Sequence, residues 1–136
     1  MLTLNAGEHG STYGGNPLAC KVAKAALEVI RDQKLSENSA VRGKQLRQGL
    51  SSLRSSTCIE SVRGRGLLNA IVIDQPKMGY GEQGKAWDVC MAMKDNGLLA
   101  KPTHGNIIRF APPLTITEEE TNECLNIIGK SIRQIG

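Results

Sequence analysis

The chain has 136 residues, of which 40% are hydrophobic and 22% are charged, which is typical of one ordinary folded domain. Its aromatic share of 3% is too low for the base-stacking surface of a protein that binds single-stranded nucleic acid. The net charge of +4 is spread along the chain, and no apolar run approaches the roughly 20 residues that cross a bilayer. We therefore expect neither a nucleic acid nor a membrane as a partner.

The cysteines and histidines do not form a metal-binding pattern. A zinc site needs closely spaced thiolate or imidazole ligands, but the chain has only two histidines and no CxxC pair, so we expect no bound metal. We recognise no secretory segment and no Asn-x-Ser/Thr sequon, which favours reduced thiols in an intracellular protein. The widely separated cysteines are Cys20, Cys58, Cys90 and Cys124.

Two helices are predicted in the first part of the chain. Asn16-Pro17 predicts a helix start, because asparagine caps free amides and proline at the first helical position loses no hydrogen bond. Helical spacing extends this helix to about Gln33. A second helical pattern follows Asn38-Ser39 and ends over Ser51–Thr57. The apolar stripe of the first helix comprises Leu18, Val22, Ala25, Ala26, Val29 and Ile30.

A β-hairpin is predicted next. Its strands are Ile59–Val62 and Leu67–Ile73, with a bend at Gly64–Gly66 whose neighbouring arginines are solvated or cap the sheet. A loop over Gln75–Gly84 follows, and it contains a literal GxGxxG pattern from Gly79 onward. A dinucleotide-binding fingerprint needs a tight turn between strand and helix, which this segment lacks, so we interpret it as a surface loop.

The remaining elements complete an α+β pattern. Helical spacing resumes over Lys85–Asn96, through a tryptophan and a methionine, and a glycine directly after it is typical of a helix C-terminus. Leu98–Lys101 and Asn106–Phe110 are short strand candidates on either side of a turn. The capping box Thr117–Glu120 begins a last helix. We therefore predict a short antiparallel or mixed sheet packed with helices.

One candidate site lies ahead of the first helix. Residues 7–17 place hydroxyl groups and glycine amides before a helix N-terminus, where amide donors and the helix dipole favour an anion. A phosphate site is one interpretation, and a glycine-rich turn with an asparagine cap is the other. A catalytic Ser11 or Thr12 is disfavoured, because the one neighbouring base, His9, stands at an unfavourable spacing.

A second candidate is Arg109, which lies in a strand candidate. Strand alternation points its guanidinium away from Ile108 and Phe110, and such an arginine needs a partner. A substrate carboxylate and an internal ion pair are both open interpretations. His104 is better explained as a residue that shapes a turn than as one that moves a proton.

Three segments resemble a known family, the pyridoxal-phosphate-dependent class-III aminotransferases of fold type I, and among them the ornithine aminotransferases. They are Gly7–Leu18 with its Ser-Thr-Tyr-Gly-Gly motif, Val62–Ile71, and Asn96–Leu114 with Lys-Pro-Thr-His-Gly and Arg-Phe-Ala-Pro-Pro. The resemblance extends in order over essentially the whole chain. It implies that residues 1–34 are the end of the large domain with the interdomain helix, and that residues 35–136 are the C-terminal small domain.

The resemblance also implies an activity and site residues. Such enzymes transfer the δ-amino group of ornithine to 2-oxoglutarate, giving glutamate semialdehyde and glutamate, and they are homodimers. Thr12, with Ser11 beside it, would contact the cofactor phosphate held by the partner subunit. Arg109 would bind the α-carboxylate of 2-oxoglutarate, and in the ornithine half-reaction it would pair with a glutamate upstream of this segment.

The same resemblance places the lysine that forms the Schiff base with the cofactor before residue 1, so we expect no catalytic residue within this chain and no activity of the chain alone. The expected compartment is the mitochondrial matrix or the cytoplasm. Two alternatives stay open. One is a related class-III enzyme of the acetylornithine type, and the other is a non-catalytic interaction module that keeps the small-domain fold.

Overall fold

The structure, a computed structural model, describes residues 3, 5, 7–74 and 84–135. The chain divides into two compact units, residues 1–34 and 35–136. The assignment of these units to the large and the small domain of a longer enzyme stays a prediction. Within the described residues, every helix is too short or too polar to cross a membrane.

Helix α1, Pro17–Asp32, dominates the first unit. Its predicted start is confirmed, because the Asn16 side-chain oxygen accepts a hydrogen bond from the Ala19 amide at 3.0 Å and proline occupies the first helical position. None of its residues is buried. Its large exposed apolar side chains are Leu18, Val22, Leu27 and Val29.

Among its described residues, the second unit contains three α-helices, a 3₁₀ turn and a four-stranded sheet with the strand order β1-β2-β4-β3. All neighbouring strands are antiparallel, which confirms the predicted α+β fold. In chain order the elements are α2 Leu35–Leu53, a 3₁₀ turn Arg54–Ser56, β1 Ile59–Arg65, β2 Leu68–Ile73, α3 Lys85–Asp95, β3 Lys101–Thr103, β4 Ile107–Phe110 and α4 Glu118–Ile135.

The predicted start of α2 at Asn38-Ser39 is wrong, since the helix already begins at Leu35. Both polar residues lie inside the helix and bind segments remote in the chain. The Asn38 amide donates to the backbone oxygens of Leu114 and Ile116, at 2.8 and 3.0 Å. The Ser39 hydroxyl accepts from the Leu67 amide at 3.1 Å. Residues that resemble local caps are here tertiary hydrogen-bonding groups.

The strand boundaries also differ from the prediction. The antiparallel β1-β2 ladder confirms the predicted hairpin, but it continues to the pair Arg65 and Leu68. The bend predicted at Gly64–Gly66 is therefore displaced, and the connection is Gly66-Leu67. Lys101–Thr103 forms β3, whereas Leu98–Lys101 was predicted. The Leu98 amide donates to the Met93 carbonyl at 2.8 Å, which ties this residue to the end of α3. Because β3 is an edge strand, its proline is tolerated.

The core lies on the inner face of the sheet, against α2, α3 and α4. Helix α3 buries Val89 and Met93, whereas Trp87 and Met91 of the predicted helical pattern are exposed. The capping box of α4 is confirmed by two reciprocal hydrogen bonds. The Thr117 amide donates to the Glu120 carboxylate at 2.8 Å, and the Glu120 amide donates to the Thr117 hydroxyl at 3.2 Å. Fully buried core side chains include Leu50, Ile71, Ile73, Val89, Met93, Ile108, Ile128 and Ile132.

The predicted surface loop over Gln75–Gly84 lies almost entirely outside the described residues, and so does most of its glycine pattern. Its last residue, Gly84, is described. Gly84 precedes α3 with a φ of 82°, a left-handed conformation that favours glycine.

Candidate functional site

The first candidate, the segment ahead of α1, exposes two hydroxyl groups. The Ser11 hydroxyl lies over Gly14, where an added Cβ would approach it to 2.9 Å. The side chains of Ser11 and Thr12 are exposed, and neither forms a hydrogen bond with another described residue. The turn itself is closed by the Asn16 amide, which donates to the Tyr13 carbonyl at 3.1 Å. Both hydroxyls are therefore available to an external acceptor.

These donors fit a phosphate group. Two hydroxyls stand beside Gly10 and Gly15, and an added Cβ at either glycine would meet no atom within 4 Å. An oxyanion can approach hydroxyl and amide donors closely in such open surroundings, next to the positive end of a helix. Asn16 caps the helix at the same time, so the turn with an asparagine cap is present and leaves the two hydroxyls unused.

The second candidate, Arg109, lies in β4 of the other unit. Its side chain is exposed, and its neighbours Ile108 and Phe110 are buried, as strand alternation predicts. Within the part of the chain that the structure describes, its guanidinium forms no ion pair and no side-chain hydrogen bond. The internal ion pair considered from the sequence is thus not formed among these residues, and the guanidinium keeps its donors for another group.

Arg109 also borders a groove of about 560 Å³. The groove lies between the connection from β4 to α4, helix α4 itself and the residues that follow α3. Its walls are mostly apolar, with the carboxylates of Glu120 and Glu123 among them. Its apolar lining includes Leu46, Leu98, Phe110, Ile116, Ile127 and Ile128.

Strand pairing adds two cations that the sequence analysis missed as site residues. Arg63 pairs with Ala70, Ala70 pairs with Arg109, and Arg109 pairs with Lys101. Directly opposite residues of antiparallel strands share one face, so these four form a row across the sheet. Like charges directly opposite cost roughly 0.2–1 kcal/mol. No local signal reveals this row, because it depends on the pairing register of remote segments.

Two of the four thiols, those of Cys90 and Cys124, are poor nucleophile candidates. Cys20, Cys58, Cys90 and Cys124 are all unpaired. Burial raises the pKa of Cys90 to about 11. Burial, followed by the charges of neighbouring glutamates, also raises the pKa of Cys124. Since the reactive form is the thiolate, both thiols stay protonated near neutral pH.

One further residue singled out in the sequence, His104, lies in a turn. His104 has a φ of 52° in the turn between β3 and β4, in line with the turn role expected of it. The described residues contain no cluster of histidine, cysteine, aspartate or glutamate that could hold a metal ion.

Comparison with known proteins decides the family. The profile of the family Aminotransferase class-III matches residues 1–132. The chain belongs to the class-III aminotransferases. Class-III aminotransferases depend on pyridoxal phosphate, so the family implies this cofactor for a full-length member. The hydroxyl donors described above suit its phosphate group.

Curated relatives of this class-III aminotransferase chain are much longer than the chain. It is 56% identical over 132 residues to "Ornithine aminotransferase, mitochondrial" of Drosophila melanogaster, a match that covers 97% of this chain and 29% of the fly protein. It is 53% identical over 135 residues to "Ornithine aminotransferase" of Emericella nidulans, covering 99% of this chain and 29% of the fungal protein. The chain thus spans less than a third of these relatives.

The similar solved structures include proteins named as acetylornithine and as ornithine aminotransferases. An acetylornithine aminotransferase from Elizabethkingia anophelis is 54% identical, with a TM-score of 0.83, over 96% of this chain and 33% of that protein. The ornithine δ-aminotransferase of Plasmodium falciparum is 40% identical, with a TM-score of 0.83, over 99% of this chain and 34% of that protein. Both similarities extend along nearly the whole of this 136-residue chain, which matches about a third of each solved protein.

Proposed function

We propose that this chain is the C-terminal part of an ornithine aminotransferase, which transfers the δ-amino group of ornithine to 2-oxoglutarate and yields glutamate semialdehyde and glutamate. The observation that carries the proposal is Arg109, a guanidinium on the outer face of the sheet without an anionic partner among the described residues. The names of the curated relatives support the amino donor.

Arg109 supplies the carboxylate-binding group in this proposal. A guanidinium offers two parallel N–H donors that match the two oxygens of a carboxylate. In the 2-oxoglutarate half-reaction these donors hold the α-carboxylate of the oxo acid. In the ornithine half-reaction Arg109 pairs instead with a glutamate of the full-length enzyme that precedes this segment. One residue thereby serves both substrates by changing its anionic partner.

Ser11 and Thr12 supply phosphate contacts in the same proposal. When bound, pyridoxal phosphate supplies the electron sink that amino-group transfer requires. The hydroxyl of Thr12, with that of Ser11 beside it, donates to the cofactor phosphate. The two residues serve the active site of the partner subunit, so the full-length enzyme is a homodimer. Its compartment is the mitochondrial matrix or the cytoplasm, and the names of several relatives support the first.

The proposal is tested by comparing donors on the full-length protein that contains this chain. We expect transamination of 2-oxoglutarate with ornithine and a much lower rate with N-acetylornithine. The chain of residues 1–136 serves as the control, and we expect it to show no turnover, because the cofactor-binding lysine is placed upstream. Preference for N-acetylornithine would favour the acetylornithine type, to which one solved relative belongs by name. Turnover by the isolated chain would contradict the proposed division of the active site.

A second candidate function rests on α1. Three large apolar side chains of this helix are strongly exposed: Leu18 at 74%, Val22 at 61% and Leu27 at 67%. Leu18 and Val22 belong to the apolar stripe of the helix. Exposed apolar surface of this kind is typical of an interaction site. A non-catalytic module that binds a partner through this helix would have the same feature.

This surface leads to a prediction about assembly. We expect the isolated chain of residues 1–136 to self-associate, because burial of α1 side chains against a second copy removes apolar surface from water. Sedimentation velocity over a range of concentrations measures it. The double variant Leu18→Lys, Val22→Lys should shift the chain toward monomer, whereas Lys24→Gln on the same helix should not. A wild-type chain that stays monomeric at high concentration would speak against the prediction.

A further inference from the structure

The row Arg63–Ala70–Arg109–Lys101 crosses all four strands of the sheet. Its three cations are exposed. None of them forms an ion pair or a side-chain hydrogen bond with another described residue. Lys101 and Arg109 are directly opposite, which brings their Cβ atoms to roughly 5 Å. The sheet therefore holds an unneutralised concentration of positive charge around Arg109.

The paired positions of this sheet face do not balance the charge. No aspartate or glutamate occupies a paired position on it. Sheets generally avoid like charges on directly opposite residues, so a row of this kind is unfavourable unless an anion neutralises it. The other paired residues of the face are Ser61, Arg65, Leu68, Val72, Thr103 and Ile107.

Ala70 separates Arg63 from Arg109 within the row. Its side chain is a single methyl group and carries no charge. Since neighbouring strands lie about 4.8 Å apart, the backbones of these two residues are separated by roughly 10 Å. Arg63 is thus too far for the same close contact that Lys101 can make, and it acts on a bound anion mainly through longer-range attraction.

We propose that this row selects a dianionic oxo acid, with Lys101 as the second carboxylate-binding residue beside Arg109 and with Arg63 adding attraction. The inference rests on the proposed function, in which Arg109 binds 2-oxoglutarate. It adds a charge criterion: 2-oxoglutarate is a dianion, whereas ornithine carries a net positive charge. Lys101 therefore favours the oxo acid and disfavours the amino donor.

Equilibrium binding of oxo acids to the full-length holoenzyme tests the row. The pyridoxal-phosphate form is used, because it has no amino group to transfer and therefore binds an oxo acid without turnover. We expect Lys101→Gln to raise the Kd of 2-oxoglutarate about fivefold to tenfold, and Arg63→Gln to raise it about twofold. The Kd of the monoanion 2-oxobutyrate should change less. The rate of the ornithine half-reaction at subsaturating ornithine, measured by single turnover, should stay unchanged or rise. The effects should shrink at high ionic strength, because salt screens exposed charges. Isothermal titration calorimetry measures each Kd.

Two controls separate the row from general damage. Lys44→Gln removes the same charge from an exposed position of α2 and should leave both oxo-acid Kd values and the ornithine half-reaction unchanged. Lys101→Arg should keep the preference for the dianion. The melting temperature of Lys101→Gln should not fall, since a repulsion is removed. An unchanged ratio of the 2-oxoglutarate and 2-oxobutyrate Kd values in Lys101→Gln would overturn the inference. Failure of the donor assay described above would instead count against the proposed function.

Discussion

Replacement of Arg109 by lysine in the full-length enzyme is expected to lower kcat/KM for 2-oxoglutarate by about ten- to hundredfold. The substitution keeps the positive charge but replaces the planar guanidinium, which gives two parallel hydrogen bonds, by a single ammonium group. Loss of a charge-assisted bidentate contact costs about 1.5–3 kcal/mol of transition-state stabilisation. This free energy corresponds to the expected fall in kcat/KM of about ten- to hundredfold. Single-turnover measurements of the oxo-acid half-reaction determine the effect.

The ornithine half-reaction should respond differently to the same substitution, because in our proposal Arg109 there restrains a glutamate and does not hold substrate. Arg65→Lys is the matched control. Arg65 is exposed on the same sheet face, yet it pairs with Leu68 and lies outside the row. If Arg109→Lys left the oxo-acid half-reaction at the wild-type rate, Arg109 would have no carboxylate-binding role.

Gly43→Ala is expected to destabilise the second unit by about 2–3 kcal/mol. In general, alanine in a helix is favoured over glycine by about 1 kcal/mol, but here an added Cβ would overlap the backbone carbonyl of Gly66. That carbonyl cannot easily move, because it accepts hydrogen bonds from the Arg47 guanidinium at 2.8 Å and from the Asn69 amide at 3.1 Å. Urea unfolding followed by circular dichroism measures the loss.

Gly49→Ala in the same helix provides the control. The obstacle to its Cβ is the end of the Leu125 side chain, which can rotate away. We expect a change within about 1 kcal/mol, since the gain in helix propensity offsets the repacking. Equal destabilisation by the two substitutions would show that helix packing as a whole, and not the Gly66 carbonyl, requires glycine at position 43.

Features that depend on residues a few positions apart could be predicted before the fold was known. The Asn16-Pro17 helix start and the capping box of Thr117 and Glu120 are made by neighbours within one turn. The alternation that exposes Arg109 between two buried residues depends on strand geometry alone. The motifs around Thr12 and Arg109 likewise indicated the class-III aminotransferases before any fold was known, because each motif is a contiguous stretch of chain.

Features that depend on partners remote in the chain could not be predicted from the sequence and emerge in the folded protein. Helix α2 includes Asn38 because Leu114 and Ile116 accept its hydrogen bonds, and nothing near Asn38 in the sequence signals those partners. The position of Lys101 opposite Arg109 follows from strand register, which a shift of one residue would reverse. Local propensity acts over a few residues, whereas register and packing are set by the fold as a whole, and the charged row arises at that level.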